Sequence, residues 1–326
     1  MPEALFLQQS GMIIAFKLQM LITMTKLPLF LFALLALSCN NPIKNSNDSA
    51  DNSKSSDKVE EPENITVIEL PTKLKEISGI SFFDDEIVLG VQDELGVLFQ
   101  YNIKENKIVK EFEFGEPDDY EDLVIVGNDV YVVISNGTII QIKNFQSAAP
   151  QVNKFKTDLK KENDIEGLAY EPQKNRLLLA AKERGMDEDE NTKEIYAFDL
   201  KTMKLNNTPA YSIRLNEIEE YFKGDALVES SKKFLKALGN KNIDKVFKSS
   251  AITVNPQSNQ IFILSSINNL IAVLSPDGKL DKVIQFEGKQ HKQPEGLAFS
   301  PDRKLFVSNE AGKKGKANII ELEYAN

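Results

Sequence analysis

A repeat constrains this chain more than any other feature. Five segments share one pattern: a polar or acidic residue, a small or acidic one, an apolar run, a turn and a second apolar run. They are SGISFFDDEIVLGVQDE from Ser78, EDLVIVGNDVYVVISNG from Glu121, EGLAYEPQKNRLLLAAKER from Glu166, SAITVNPQSNQIFILSSIN from Ser250 and EGLAFSPDRKLFVSNE from Glu295. Successive starts lie 43, 45, 84 and 45 residues apart. A third run follows each (98–104, 138–144, 194–200, 270–276 and 317–324), and in four repeats a fourth, such as KVIQFEG at 282–288. Short β-branched runs between turn residues, recurring at this period, predict the four-stranded blades of a propeller.

The predicted fold is therefore all-β: a single β-propeller of five blades, or six if residues 210–248 hide a degenerate repeat. The run ITVIEL (65–70) has no repeat of its own, and the last repeat stops after its third strand. The first strand is thus expected to complete the last blade and leave no open edge. Within the long interval, Leu215, Ile218, Tyr221 and Phe222, then Phe234, Leu235 and Leu238, have helical spacing, so a helical insertion is expected near 214–240. It reads either as a flap over one face or as a plain surface insertion.

Ahead of the repeats, Lys26 precedes the eleven-residue apolar run LPLFLFALLAL (27–37), which Ser38-Cys39 follows. That run is short for a membrane span and suits the apolar region of an export signal. Residues 1–39 are accordingly expected to be a signal peptide starting at Met20 or Met24, and Ala36-Leu37-Ser38-Cys39 resembles a bacterial lipobox, with Ala36 in place of the usual leucine. In that motif the cysteine thiol is acylated and becomes the mature N-terminus. An ordinary secretory signal and a transmembrane anchor are the alternatives. Residues 40–63, rich in Asn, Ser, Asp, Lys and Glu, bury too little to offset their ordering entropy and read as a disordered tether. Such a tether reaches roughly 25–30 Å. The expected location is the bacterial cell envelope, with Cys39 holding residues 64–326 to a membrane.

The chain carries a formal charge of −10, which argues against a nucleic-acid partner. It has one cysteine, one histidine and no tryptophan, so histidine-rich zinc sites and Ser-His-Asp catalysis all hang on His291. The oxygen-bearing residues are arranged with more order. In a blade, the start of the first strand and the end of the second meet at one face. The first column reads Ser78, Glu121, Glu166, Ser250 and Glu295, with Asp119, Asp122 and Asp164 nearby. The second reads Asp93-Glu94, Ser135-Asn136, Lys182-Glu183-Arg184, Ser265-Ser266 and Asn309-Glu310.

Carboxylates converging on a narrow mouth repel one another unless a cation or a basic side chain offsets them. Ca²⁺, with its tolerant all-oxygen coordination, suits such a ring. Glu121, Glu166, Glu295, Glu183 and Asn309 are the candidate metal ligands. Asp93, Asn136, Lys182, Arg184, Glu310 and His291 are candidates for ligand binding. The competing reading is structural, each glutamate bonding a neighbouring blade or pairing with Lys182 and Arg184. The run MDEDEN (186–191) reads as a solvated loop, and Gly312-Lys313-Lys314-Gly315-Lys316 lacks the strand–loop–helix context of a P-loop.

The segments DIEGLAYEPQKNRLLLAAKER, SAITVNPQSNQIFILSS and QPEGLAFSPDRKLFVSNE resemble the SdiA-regulated family of bacterial propeller proteins over roughly residues 65–325. Weaker similarity extends to phytase-like esterase, NHL and calcium-dependent lactonase propellers. The resemblance implies a fold, whereas function is argued from the site. Two expectations follow. One is a binding propeller that holds a cation and recognises a small anionic ligand or an envelope protein. The other is a calcium-dependent hydrolase of an ester, lactone or phosphoester, with Glu166 or Glu295 activating water.

Overall fold

A computed structural model describes residues 57–59, 66–187, 189–222, 242–286, 291, 293–313 and 315–323. The segment expected to be an export signal with a lipobox, and the expected tether apart from its residues 57–59, lie outside the described residues. The repeats fold as five antiparallel blades, each entered through its innermost strand. The described strands in chain order begin with β1 (Asp57–Val59) and β2 (Val67–Glu69). The first blade is β3 (Ile77–Phe82), β4 (Ile87–Gln92), β5 (Leu95–Asn102) and β6 (Lys107–Glu113). The second is β7 (Tyr120–Val126), β8 (Asp129–Ile134), β9 (Ile139–Lys143) and β10 (Gln151–Phe155). The third is β11 (Ile165–Glu171), β12 (Arg176–Ala181), β13 (Thr192–Asp199) and β14 (Lys204–Arg214).

A helix, α1 (Leu215–Tyr221), precedes the fourth blade of β15 (Ser249–Val254), β16 (Ile261–Ser265), β17 (Leu270–Leu274) and β18 (Leu280–Phe286). The fifth blade supplies β19 (Pro294–Phe299), β20 (Leu305–Asn309) and β21 (Asn318–Leu322), and β2 pairs with β21 to complete it. The ring therefore closes through the N-terminal strand, and no sixth blade occurs among the described residues.

Apolar residues on alternate positions of the inner strands face the neighbouring blade, so the core is five separate clusters rather than one. Leu89, Leu123 and Val132 join the first and second blades, Val133, Leu168 and Leu179 the second and third, and Leu264, Leu297 and Val307 the fourth and fifth. Between the third and fourth blades the cluster also takes in Leu215, Ile218, Tyr221 and Phe222. The Tyr221 hydroxyl donates to the Leu280 carbonyl at 3.1 Å. The start of the insertion is thus part of the core and no free flap; its later candidates Phe234, Leu235 and Leu238 lie outside the described residues. Three residues of the expected tether are described: β1 runs parallel to β18 on the outer edge of the fourth blade.

At the axis, the second position of the repeat is Gly79, Asp122, Gly167, Ala251 and Gly296. Four small residues leave room for one side chain. A Cβ on Gly79 would overlap Asp122 Oδ1 and stand 2.5 Å from the Asp122 Cα; one on Gly296 would stand 2.5 Å from the Ser78 carbonyl oxygen. The buried Asp122 accepts backbone N–H bonds from Leu123 at 2.8 Å and from Leu168, in the third blade, at 2.7 Å. Burial pushes its carboxyl well above the usual range, against the opposing pull of the Leu168, Leu123 and Ile252 amides.

Replacing Asp122 with Ala strands these buried donors. Each unmet donor costs about 1–3 kcal/mol, so Asp122→Ala is expected to lower unfolding stability by about 3 kcal/mol. Urea denaturation checks this, and a loss below about 1 kcal/mol contradicts a central bolt.

Candidate metal centre

In every blade the first and second strands pair with a register shift at the same place. It falls between Ile77 and Ile80, Tyr120 and Asp122, Ile165 and Gly167, Ser249 and Ala251, and Pro294 and Gly296. The residues left out of the ladder are Ser78 with Gly79, then Glu121, Glu166, Ser250 and Glu295. A bulge frees a residue from pairing and re-aims its side chain. Ser78, Glu121, Glu166, Ser250 and Glu295 all border one cavity of about 330 Å³, together with Asp93, Asp119, Asp164, Lys182, Gln293 and Glu310.

One cation stands among the seven carboxylates of this lining. Lys182 Nζ donates to Glu166 Oε1 and lies 4.0 Å from Asp164 Oδ2. Burial raises the Glu121 carboxyl far above its ordinary range, helped by the charges of Glu166, Asp119 and Asp164 and opposed by Lys182. Glu166 is raised by burial too, with Lys182 pulling it back. Burial, then Glu166 and Glu310, push Glu295 up to about 8. Glu310 reaches about 7 through burial and the charges of Asp93 and Glu76. Asp93 reaches about 6 through burial and Glu76, and its Oδ1 is buried with no hydrogen-bond partner. These groups cannot all ionise together at neutral pH without a further positive charge.

Two subsets are compact enough to share an ion. Glu121, Asp164 and Glu166 can each offer an oxygen within 4.8 Å of the others, and so can Glu76, Asp93 and Glu310. Oxygens on a single Ca²⁺, at about 2.3–2.6 Å from it, lie up to roughly 5 Å apart, so both subsets fit. The donors are all oxygen, which suits a hard cation rather than a thiolate- or imidazole-seeking one.

Of the expected metal ligands, Glu121, Glu166 and Glu295 come together here. Glu183 instead accepts from Lys248, and Asn309 is fully buried, donating to Asn318 Oδ1 at 3.0 Å; neither is among the lining residues. Of the expected ligand-binding residues, Asp93, Lys182 and Glu310 line the cavity. Asn136 Oδ1 caps the Thr138 amide at 3.0 Å within its own turn. Arg184 pairs with Glu190 and borders a different, larger hollow beside Lys160 and Met186.

His291, expected in a loop open to the mouth, is buried against Phe286, ring centroids 4.9 Å apart. Burial lowers its pKa to about 4, so it is neutral at pH 7 and is not placed to exchange protons in the cavity. In the 186–191 run, Asp189 is spent on Thr192 and the Asn191 amide, and Asp187 on the Asp189 amide. Sequence reasoning missed Glu76 and Gln293, and noted Asp119 and Asp164 only as neighbours of the first column. Their signal was the column two residues before each bulge, which reads Glu76, Asp119, Asp164, Lys248 and Gln293.

Against known proteins, the family model described as SdiA-regulated matches residues 58–314. No curated protein matches the chain. Among solved structures it is similar to a streptogramin B lyase at 12% identity, covering 80% of this chain and 98% of that one, with a TM-score of 0.44. It is similar to the Myxococcus xanthus glutaminyl cyclase at 11% identity, covering 82% and 98%, with a TM-score of 0.48. The Staphylococcus aureus virginiamycin B lyase is 15% identical, with coverage of 81% and 75% and a TM-score of 0.41. No substrate or reaction is carried over from these three.

The raised carboxyls fix a pH dependence. Glu295 keeps a proton in the folded state up to about 8, whereas the unfolded chain releases it near its ordinary 4.5. Between those values the folded state binds more protons, so stability falls as pH rises. The urea midpoint of the metal-free protein is expected to drop from about pH 5 to pH 8, and Glu295→Gln to flatten that drop. A midpoint that rises over the same range contradicts the electrostatics.

Proposed function

The chain belongs to the SdiA-regulated family, and on that premise we propose that it is an envelope-anchored propeller that binds Ca²⁺ at its acidic channel mouth. The bound ion in turn recognises a small anionic ligand or an envelope protein. One observation carries the reading: Glu121, Asp164 and Glu166 converge to within 4.8 Å on the wall of a cavity whose one cation, Lys182, cannot offset them all. Glu121 has no hydrogen bond or ion pair of its own among the described residues. A doubly charged, oxygen-seeking ion supplies the missing compensation, and it presents a positive centre to an anion that the bare carboxylates would repel.

Calorimetry with the detergent-solubilised full chain tests this. Ca²⁺ is expected to bind in the micromolar range. Glu121→Gln and Glu166→Gln each weaken binding by about tenfold or more, because ligand charge sets the affinity of such sites. Glu183→Gln, whose side chain is turned to Lys248, leaves it unchanged. No heat in the wild type overturns the proposal.

The anchor rests on the sequence. With Cys39 acylated, the stretch between it and β1 would tether the propeller to a bilayer. Metabolic labelling with palmitate, and fractionation of cells carrying Cys39→Ser, test it. Label and membrane association are expected in the wild type and lost in the variant, and a label that persists in the variant contradicts the lipobox reading.

A hydrolytic reading is favoured by a separate observation. Glu295 at about 8 and Glu310 at about 7 sit where a carboxyl exchanges protons at neutral pH, beside the proposed ion site. Bound Ca²⁺ would supply Lewis-acid polarisation of an ester, lactone or phosphoester oxygen. Glu166 or Glu295 would take the proton from water.

A further inference from the structure

Lys182 has two contacts that bear on the proposed cation site. Its ammonium holds Glu166 Oε1 and lies 4.0 Å from Asp164 Oδ2. Those residues are two of the three that can share an ion, the third being Glu121. The ammonium and an ion therefore address the same two carboxylates, and compete for the charge of Glu166.

The mount of this lysine is built. Its backbone N–H donates to the Asp164 carbonyl at 2.8 Å, and the next amide, that of Glu183, donates to Asn163 O at 3.2 Å. Its own carbonyl accepts from Lys193, a lysine only 1% exposed. The Lys193 ammonium also donates to the Glu183 carbonyl at 3.3 Å and to Asp244 Oδ1 at 2.5 Å. Asp244 lies in the 3₁₀ turn Ile243–Lys245 leading into the fourth blade. A buried cation is thus used to fix the segment from which Lys182 reaches the acidic wall. The side chain itself remains a four-carbon stem with a compact charge, able to swing out once displaced.

Resting on the cation-site reading above, we propose that Lys182 is a tethered competitor cation that sets the charge selectivity of the mouth, holding Na⁺ and K⁺ out and yielding only to a divalent ion. A tethered group acts at the effective concentration set by its attachment, in the millimolar range or above. A free monovalent ion brings the same single charge as the ammonium, and gains no Coulomb energy by replacing it. A divalent ion doubles the attraction to each carboxylate, and pulls in Glu121, which the ammonium leaves without a bond. Lys193 is a positioning residue in this scheme, acting through the Lys182 carbonyl.

The test is Ca²⁺ calorimetry on the full chain as wild type, Lys182→Met, Lys182→Gln and Lys182→Arg, with folding checked by circular dichroism. Each is titrated in sodium chloride and in choline chloride at equal ionic strength. The neutral variants are expected to bind Ca²⁺ about tenfold tighter in choline than the wild type does, and to lose that gain in sodium. Lys182→Arg and the wild type are expected to bind equally well in either salt. A wild-type affinity that falls when sodium replaces choline overturns the proposal without recourse to any variant. So do neutral variants that bind no tighter than a wild type whose binding is intact, and that outcome leaves the cation-site reading standing. Absence of Ca²⁺ binding in every chain overturns both.

Discussion

Five strands meeting at one axis leave space for a single side chain, and the rest of the molecule is arranged around that shortage. With Gly79, Gly167, Ala251 and Gly296 at the narrowest level, the backbones approach until one carboxyl, Asp122, fills the gap and ties the second blade to the third. Blade-to-blade packing can then be supplied by five separate apolar clusters, because the axis fixes how the sheets are disposed. The same layer divides the channel. On one side lie the carboxylates, and on the other Ile80, Ile125, Tyr170, Val254 and Phe299 border an apolar depression.

Immediately beside the tight layer every first strand carries a bulge, and that coincidence makes a site out of a scaffold. A regular strand would alternate its side chains between faces of its own sheet. The bulge sends Glu121, Glu166, Ser250 and Glu295 toward the axis instead. Burying these acids, and crowding them together, raises each of them, and the folded protein carries that cost as metal-free stability lost with rising pH. Proteins tolerate such costs at sites where a ligand repays them, which links the geometry of the mouth to the cation proposed for it.

The fold was legible because the repeat is long and its period is that of a blade. Spacing also gave the closing strand β2 and the helical start of the insertion. The mouth was legible by column but not by residue. Pairing opposes Ile165 to Ala181 and Pro294 to Asn309, so the positions just beyond the second strands are Asp93, Ser135, Lys182, Ser266 and Glu310. Asn136 and Glu183 sit one residue past that level and Asn309 one residue before it. A shift of one residue along a strand end changes the face that a side chain meets, and neither composition nor period specifies it. His291 escaped for another reason. Its neighbours in sequence are polar, while the residue that buries it, Phe286, comes from the preceding strand.

The departures from the repeat say more about function than the repeat does. A propeller with five identical blades would have a symmetric mouth. Here the fourth blade contributes Ser250 where three others have glutamate, and Lys248 where the first three have acids. Lys248 turns away to Glu183, and Lys182 of the third blade takes the one cationic place inside the cavity. Carboxylates therefore line the cavity from the first, second, third and fifth blades but not from the fourth, and Lys182 offsets part of the charge on the third. The fourth blade lines the cavity with Ser250, whose hydroxyl donates to the Pro294 carbonyl at 2.9 Å, so this wall is neutral. The repeat sets the five-bladed frame, and its broken symmetry gives the cavity one neutral wall among charged ones.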